Sequence, residues 1–294
     1  MLVLSQFVLR LSFGLALAMG LTSPRKVTSG FFRNHSYVLL GLCVLAVLAA
    51  FAGSVPSRSH SSDSSIIKYE TPRQQAPAHL VRWPPLVAAV LSYCCAAAWL
   101  YEKPKLGHTL LFAVSATSLL GAWVSQPMPF FESGHAPTPS ANITLYVATV
   151  KAPLELPLLL WRLDPVGGGM LLGSTIAAMF LGHWYLNTPT MELGPLRKLL
   201  RFMAVAVALR ALLASLCLGI ELQQPWLSLS QYPLLALRWL AGIIGTGVLT
   251  FMAWQTLKIP NTQSATGILY VAVITVFIGE LTSLLLSGGT AFPV

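Results

Sequence analysis

Charge is what this sequence has least of. Only 9% of its 294 residues are Asp, Glu, Lys or Arg, against about 25% in an ordinary soluble domain. With 55% hydrophobic residues, a water-soluble fold of this size could not hide its apolar surface. Cysteine is scarce too. Cys43, Cys94, Cys95 and Cys217 all lie within apolar runs and none forms a CxxC pair, which argues against a zinc or iron–sulfur site. Cys94 and Cys95 are adjacent, so they point to different faces of a helix and read as packing residues. GxSxG, HExxH and a Walker lysine loop are missing as well. Serine-hydrolase, zincin and P-loop chemistry have no carrier here, and no residue is assigned a catalytic role.

What is abundant is long apolar sequence. About 20 consecutive apolar residues cross the hydrocarbon core as a helix, and the mean hydropathy is +0.70. The pattern predicts an all-α, polytopic integral membrane protein, a bundle of about eight transmembrane helices. The expected spans are Leu2–Leu21, Tyr37–Gly53, Pro84–Tyr101, His108–Gln126, Gly169–Asn187, Lys198–Ile220, Pro233–Thr256 and Thr266–Gly288. The first resembles a signal peptide in length. It lacks a basic leading region and carries Arg10 inside its apolar stretch, so it reads as a retained helix.

The chain reads as one transmembrane domain over 1–294, interrupted by two long connections. The loop 54–83 begins "SVPSRSHSSDSS" and is expected outside the membrane. The loop 127–168 contains an apolar stretch broken by Pro153 and Pro157 and charged by Glu155 and Arg162. It is expected to be partly interfacial or re-entrant, with a ninth, irregular crossing as the alternative. A glycosylation sequon stands at Asn142-Ile143-Thr144. No internal repeat is visible.

The formal net charge is +9. The basic residues lie mostly in short loops, where they orient helices and meet anionic headgroups; nucleic acid is therefore not an expected partner. Arg25, Lys26, Arg33, Lys103, Lys105, Arg197, Lys198, Arg201 and Lys258 fall in or beside alternate short connections. The positive-inside rule then places both termini outside. The expected setting is a bacterial inner or plasma membrane, with the lipid bilayer, and other membrane subunits under one reading below, as partners.

Against this background a few residues are out of place. Glu280 stands in "VFIGELTSLLL", ~14 residues into its expected span and so near the midplane at 1.5 Å per residue. A charge there costs roughly 2.5–3.5 kcal/mol on insertion scales. Arg10 and Arg210 lie at comparable depth in their own spans, and an arginine fork matches a carboxylate. Arg10, Arg210 and Glu280 therefore form a candidate intramembrane charge cluster. It is either a buried ion pair fixing helix register or part of an ion or solute path. Arg238, near the start of its span, reads as a snorkelling residue.

Three histidines form a second constellation. His35, His108 and His183 are expected at one membrane level, where they suit a haem or metal site. His183, in "GHWYLNTP", is the best single candidate because it lies deepest within a span and is expected to face the bundle. Three functions follow, in order. The first is a non-catalytic subunit or scaffold of a membrane complex, redox or respiratory. The second is a transporter of a small solute or ion using Arg10, Arg210 and Glu280. The third is a haem-binding membrane protein using His183.

Overall fold

Long apolar runs with little water to satisfy the backbone can only become helices, because a helix meets its own hydrogen bonds. A computed structural model describes residues 2–52, 73–74, 76–126, 128–129, 155–188, 191–221, 231–259 and 261–287. It is an all-α polytopic membrane bundle. The helices are α1 (Leu2–Leu21), α2 (Ser29–Ala52), α3 (Ala78–Leu100), α4 (Pro104–Val124), α5 (Glu155–Asn187), α6 (Gly194–Glu221), α7 (Tyr232–Thr256) and α8 (Thr262–Leu286). Among the described residues, these 8 helices are long and apolar enough to cross a bilayer. Among the described residues, the start of α1 and the end of α8 lie at one end of the bundle. Two residue pairs, Arg73–Gln74 and Met128–Pro129, join antiparallel beyond the helix ends of that side. The sequon at 142–144 lies outside the described residues.

Burial divides the helices into two kinds. The apolar windows of α1 and α5 are 78% and 83% buried, whereas those of the other six lie between 28% and 44%. The two central helices therefore face protein almost all round, and the six outer ones show lipid a broad apolar face. Helices α2 and α4 pack on α1, with α3 between them; α6 and α8 pack on α5, with α7 against α8 and α6. Each half of four helices thus repeats one plan, a central first helix covered by its second and fourth.

The central pair touches backbone to backbone. A Cβ on Gly173 would strike the Gly14 and Leu15 main chain, and one on Gly169 would fall 2.8 Å from the Arg10 carbonyl oxygen. Small residues serve this purpose in membranes, where packing rather than water exclusion holds helices together. The same device joins α7 to α8, where Gly242 lies against the Gly279 Cα.

Seven of the eight helices start before the expected residue, because they run beyond their most apolar parts at the N-terminal end. Helix α3 begins before Pro84 and Pro85, which are buried inside it; Gly121 of α4 packs on the Pro84 ring. Residues 78–83 therefore belong to a helix and not to the extramembrane loop. The larger correction concerns 127–168. From Glu155 onward this segment is one continuous helix of 33 residues, so neither a re-entrant turn nor a ninth crossing exists over 155–168. Pro157 sits in the first turn, where a missing N–H costs nothing. Pro165 and the glycines after it are poor helix formers, each Gly costing roughly 0.8–1.0 kcal/mol relative to Ala. Tertiary packing overrides that preference, as the next subsection shows.

At the end of the bundle away from the termini, the basic residues also serve the helices directly. Lys198 Nζ donates to the Leu21 carbonyl at 2.7 Å and Arg197 Nη2 to the Leu257 carbonyl at 3.0 Å. Both place a cation on a helix C-terminus, where the backbone dipole favours it. Gly173→Val should force α1 and α5 apart. The expected loss is of the order of 1–3 kcal/mol or more, as for other overpacked cores, read as a lowered thermal unfolding midpoint of the purified protein in detergent.

Candidate functional site: a buried charge network

The string "WRLDPVGGG" at the start of α5 supplies the centre of the site. Asp164 is 2% exposed. Its Oδ1 accepts from Arg210 Nη1 at 2.5 Å, and its Oδ2 lies 2.6 Å from Arg10 Nη2. The second contact is an ion pair without an aligned hydrogen bond. Arg210 then reaches α8. Its Nε donates to Glu280 Oε1 at 2.7 Å and its Nη2 to Oε2 at 2.8 Å, a bidentate fork. Nη2 also donates to Ser283 Oγ at 3.0 Å. Four helices, α1, α5, α6 and α8, therefore meet through one chain of charges running Arg10, Asp164, Arg210, Glu280.

The three glycines that follow Asp164 make this convergence possible. A Cβ on Gly167 would meet Leu213 and the Arg210 Cδ. One on Gly168 would strike the Glu280 carboxylate and come within 3.5 Å of Arg10 Nη1. One on Gly169 would meet the Phe13 ring and the Arg10 carbonyl. Each glycine opens the face of α5 toward a different charged partner, so the run that looks like a helix breaker is the surface on which three helices close.

Arg10, Arg210 and Glu280 are brought into this one network, with Asp164 between the two arginines. Sequence reasoning missed Asp164, since the segment holding it read as interfacial or re-entrant and not as part of a spanning helix. A balance of two buried arginines against one glutamate was the available signal for a second acid. Arg238 is a further correction. It is 1% exposed on α7, not snorkelling to the surface, and it lies within the electrostatic field of Arg210, Glu280 and Asp164. Among the described residues, none of Nε, Nη1 and Nη2 has a hydrogen-bond partner. Starting at Arg238, α7 adopts the wider π-helical winding as far as Gly245; such stretches are rare and frequent at functional sites.

Along the helices the cluster lies toward one end of the bundle. Helix α8 ends at Leu286, so Glu280 lies ~9 Å from that end at 1.5 Å per residue. Arg238 lies ~9 Å from the start of α7 and Arg10 ~12 Å from the start of α1 on the same rise. All these ends belong to the face that carries the termini. Two grooves of about 310 and 380 Å³ border Trp254 at the opposite end of α6 and α7, away from the network.

The histidines do not form a comparable site. His35 and His183 come near each other around Phe180 and Trp184; the His35 ring lies 4.4 Å from that of Phe180 and bonds the Phe31 carbonyl at 2.6 Å. His183 is exposed on the outside of α5, with Nδ1 3.2 Å from the Tyr270 hydroxyl. It does not face the bundle, which corrects the sequence expectation. The inward face at that level is taken by Leu181 and Tyr185. His108 stands against Phe112. Among the described residues, no three His, Cys, Asp or Glu side chains are grouped to hold a metal ion. "GHWYLNTP" is a structured helix end: Trp184 Nε1 donates to Thr28 Oγ1 at 2.9 Å and the Tyr185 hydroxyl donates to the Glu192 carbonyl.

Removing one member of a buried ion pair typically costs about 3–5 kcal/mol, because the survivor is left uncompensated. Arg210→Met is expected to lose about that much, measured by unfolding in detergent. The double variant Arg210→Met with Glu280→Leu should recover part of the loss, since it leaves Asp164 still paired with Arg10. Arg210→Lys should also be destabilised, because an ammonium cannot hold two carboxylates in one plane.

No protein-family model matches this chain, and no curated protein or solved structure matches it either.

Proposed function

We propose that this protein moves a small solute or ion across a membrane, and that the network of Arg10, Asp164, Arg210, Arg238 and Glu280 lies on the path. The observation that carries this reading is the imbalance of the network among the described residues: three buried guanidinium groups against two carboxylates, with Arg238 left without a hydrogen-bond partner. A purely structural network would pair its charges, since an unpaired one in a low-dielectric interior is expensive. Ionisable residues facing the interior of a membrane bundle commonly mark solute and ion pathways.

The proposed setting is a bacterial inner or plasma membrane, with both termini outside. The basic residues at the ends of α1, α3, α5 and α7 and at the starts of their successors support it through the positive-inside rule. The network then lies nearer the outer face than the inner one. In a cysteine-free background, a cysteine introduced between α6 and α7 should react with an impermeant reagent added outside. One at Gly194 should react only after permeabilisation. The reverse pattern would overturn the orientation.

A second reading is favoured by one observation, the bidentate Arg210–Glu280 fork packed against Gly168. Under it, the protein is a non-catalytic subunit of a membrane complex and the network fixes helix register. Flux separates the two. Proteoliposomes holding the purified chain are exposed to proton, sodium, chloride and acetate gradients while charge movement is recorded. The transport reading expects movement with at least one gradient. It also expects roughly tenfold less in Glu280→Gln, if that variant keeps its fold. No movement with any gradient, together with partner chains that co-purify in fixed ratio from the native membrane, would leave the subunit reading.

A further inference from the structure

We propose that Arg238 is the docking point for a small, singly charged planar oxyanion, of which a carboxylate is the simplest biological form. The site rests on the reading of the buried network as a solute path, and it names the class of solute.

A guanidinium keeps its proton in proteins and carries five N–H donors in a planar fork. Arg238 presents that fork where water is excluded, at 1% exposure, and among the described residues no acceptor meets any of its three nitrogens. The four carboxylate oxygens nearby are committed elsewhere. Both oxygens of Glu280 accept from Arg210, Asp164 Oδ1 accepts from Arg210, and Asp164 Oδ2 is paired with Arg10. Among the described residues, three arginines and two acids leave the network one positive charge in excess.

That excess sets the charge of the missing partner. A monovalent anion brings the centre to neutrality, whereas a divalent one would leave it negative by the same amount. The fork sets the shape. Two parallel N–H···O bonds require two oxygens in one plane, which a carboxylate offers and a halide does not. The packing sets the size, because α7 lies against α8 at Gly242 and Gly279, with Glu280 next in sequence. The π-helical turn that begins at Arg238 is the irregularity expected where a helix presents a side chain for binding. Arg10 Nε and Nη1, also buried without acceptors, add donors to the same network.

The test is thermal unfolding of the full-length protein in detergent, in low-salt buffer and with sodium acetate, nitrate, chloride or sulfate at matched ionic strength. Acetate and nitrate are expected to raise the unfolding midpoint saturably, well beyond chloride or sulfate. Arg238→Gln removes the uncompensated charge. It should unfold at or above the wild-type midpoint in low-salt buffer, and its apparent affinity for acetate should fall at least tenfold. Arg33→Gln, at an exposed position near the start of α2, should respond as the wild type does. The proposal is overturned if Arg238→Gln unfolds below the wild type in low-salt buffer, if it keeps the acetate response, or if chloride or sulfate match acetate. Acetate binding without flux would remove the transport reading and leave this site standing. Flux unchanged by Arg238→Gln would do the opposite.

Discussion

The structure depends on one carboxylate. Asp164 stands between Arg10 of α1 and Arg210 of α6, and so holds the first half of the bundle to the second. In lipid there is no hydrophobic force between helices comparable to that in water. Two guanidinium groups that cannot face hydrocarbon must find an anion, and a single residue on the central helix supplies it. The positions of α1, α5 and α6 follow from that need, and α8 is added through the other side of the same arginine.

Charge pairing of this kind demands close helices, and close helices demand the absence of side chains. The two requirements meet in adjacent residues. Gly167, Gly168 and Gly169 follow Asp164 almost directly, Gly279 precedes Glu280, and Gly14 lies one turn beyond Arg10. The pattern couples electrostatics to packing: the polar group supplies specificity and the neighbouring glycine lets its partner approach. Without the glycines the charges would be held apart in a medium that screens them poorly. Without the charges the glycines would be weak points in long helices.

The fold class was legible because lipid imposes a simple rule on sequence, and α1 was read to its end residues. Arg10, Arg210 and Glu280 were legible for the same reason, as charges inside apolar runs. Asp164 was not, because Pro165 and three glycines hid it in sequence that favours irregular backbone in isolation. Its helix exists only because α1, α6 and α8 pack on it. Arg238 was misread because its distance from the helix end allows snorkelling, and nothing in a sequence tells which way a side chain near a boundary turns. The histidines erred in the opposite sense. The expectation rested on depth alone, and the azimuth of His183 around α5 is set by which neighbours flank that helix.

The position of Asp164 in the chain has a consequence for biogenesis. Helices leave the translocation machinery in order, and α1 leaves first, carrying Arg10. Its carboxylate partner among the described residues belongs to α5, so four helices are released before that pair can form. During that interval Arg10 must remain near the headgroups or within the insertion machinery, and α1 cannot take its central place. The electrostatic part of the core around α1 is complete only once the fifth helix supplies Asp164.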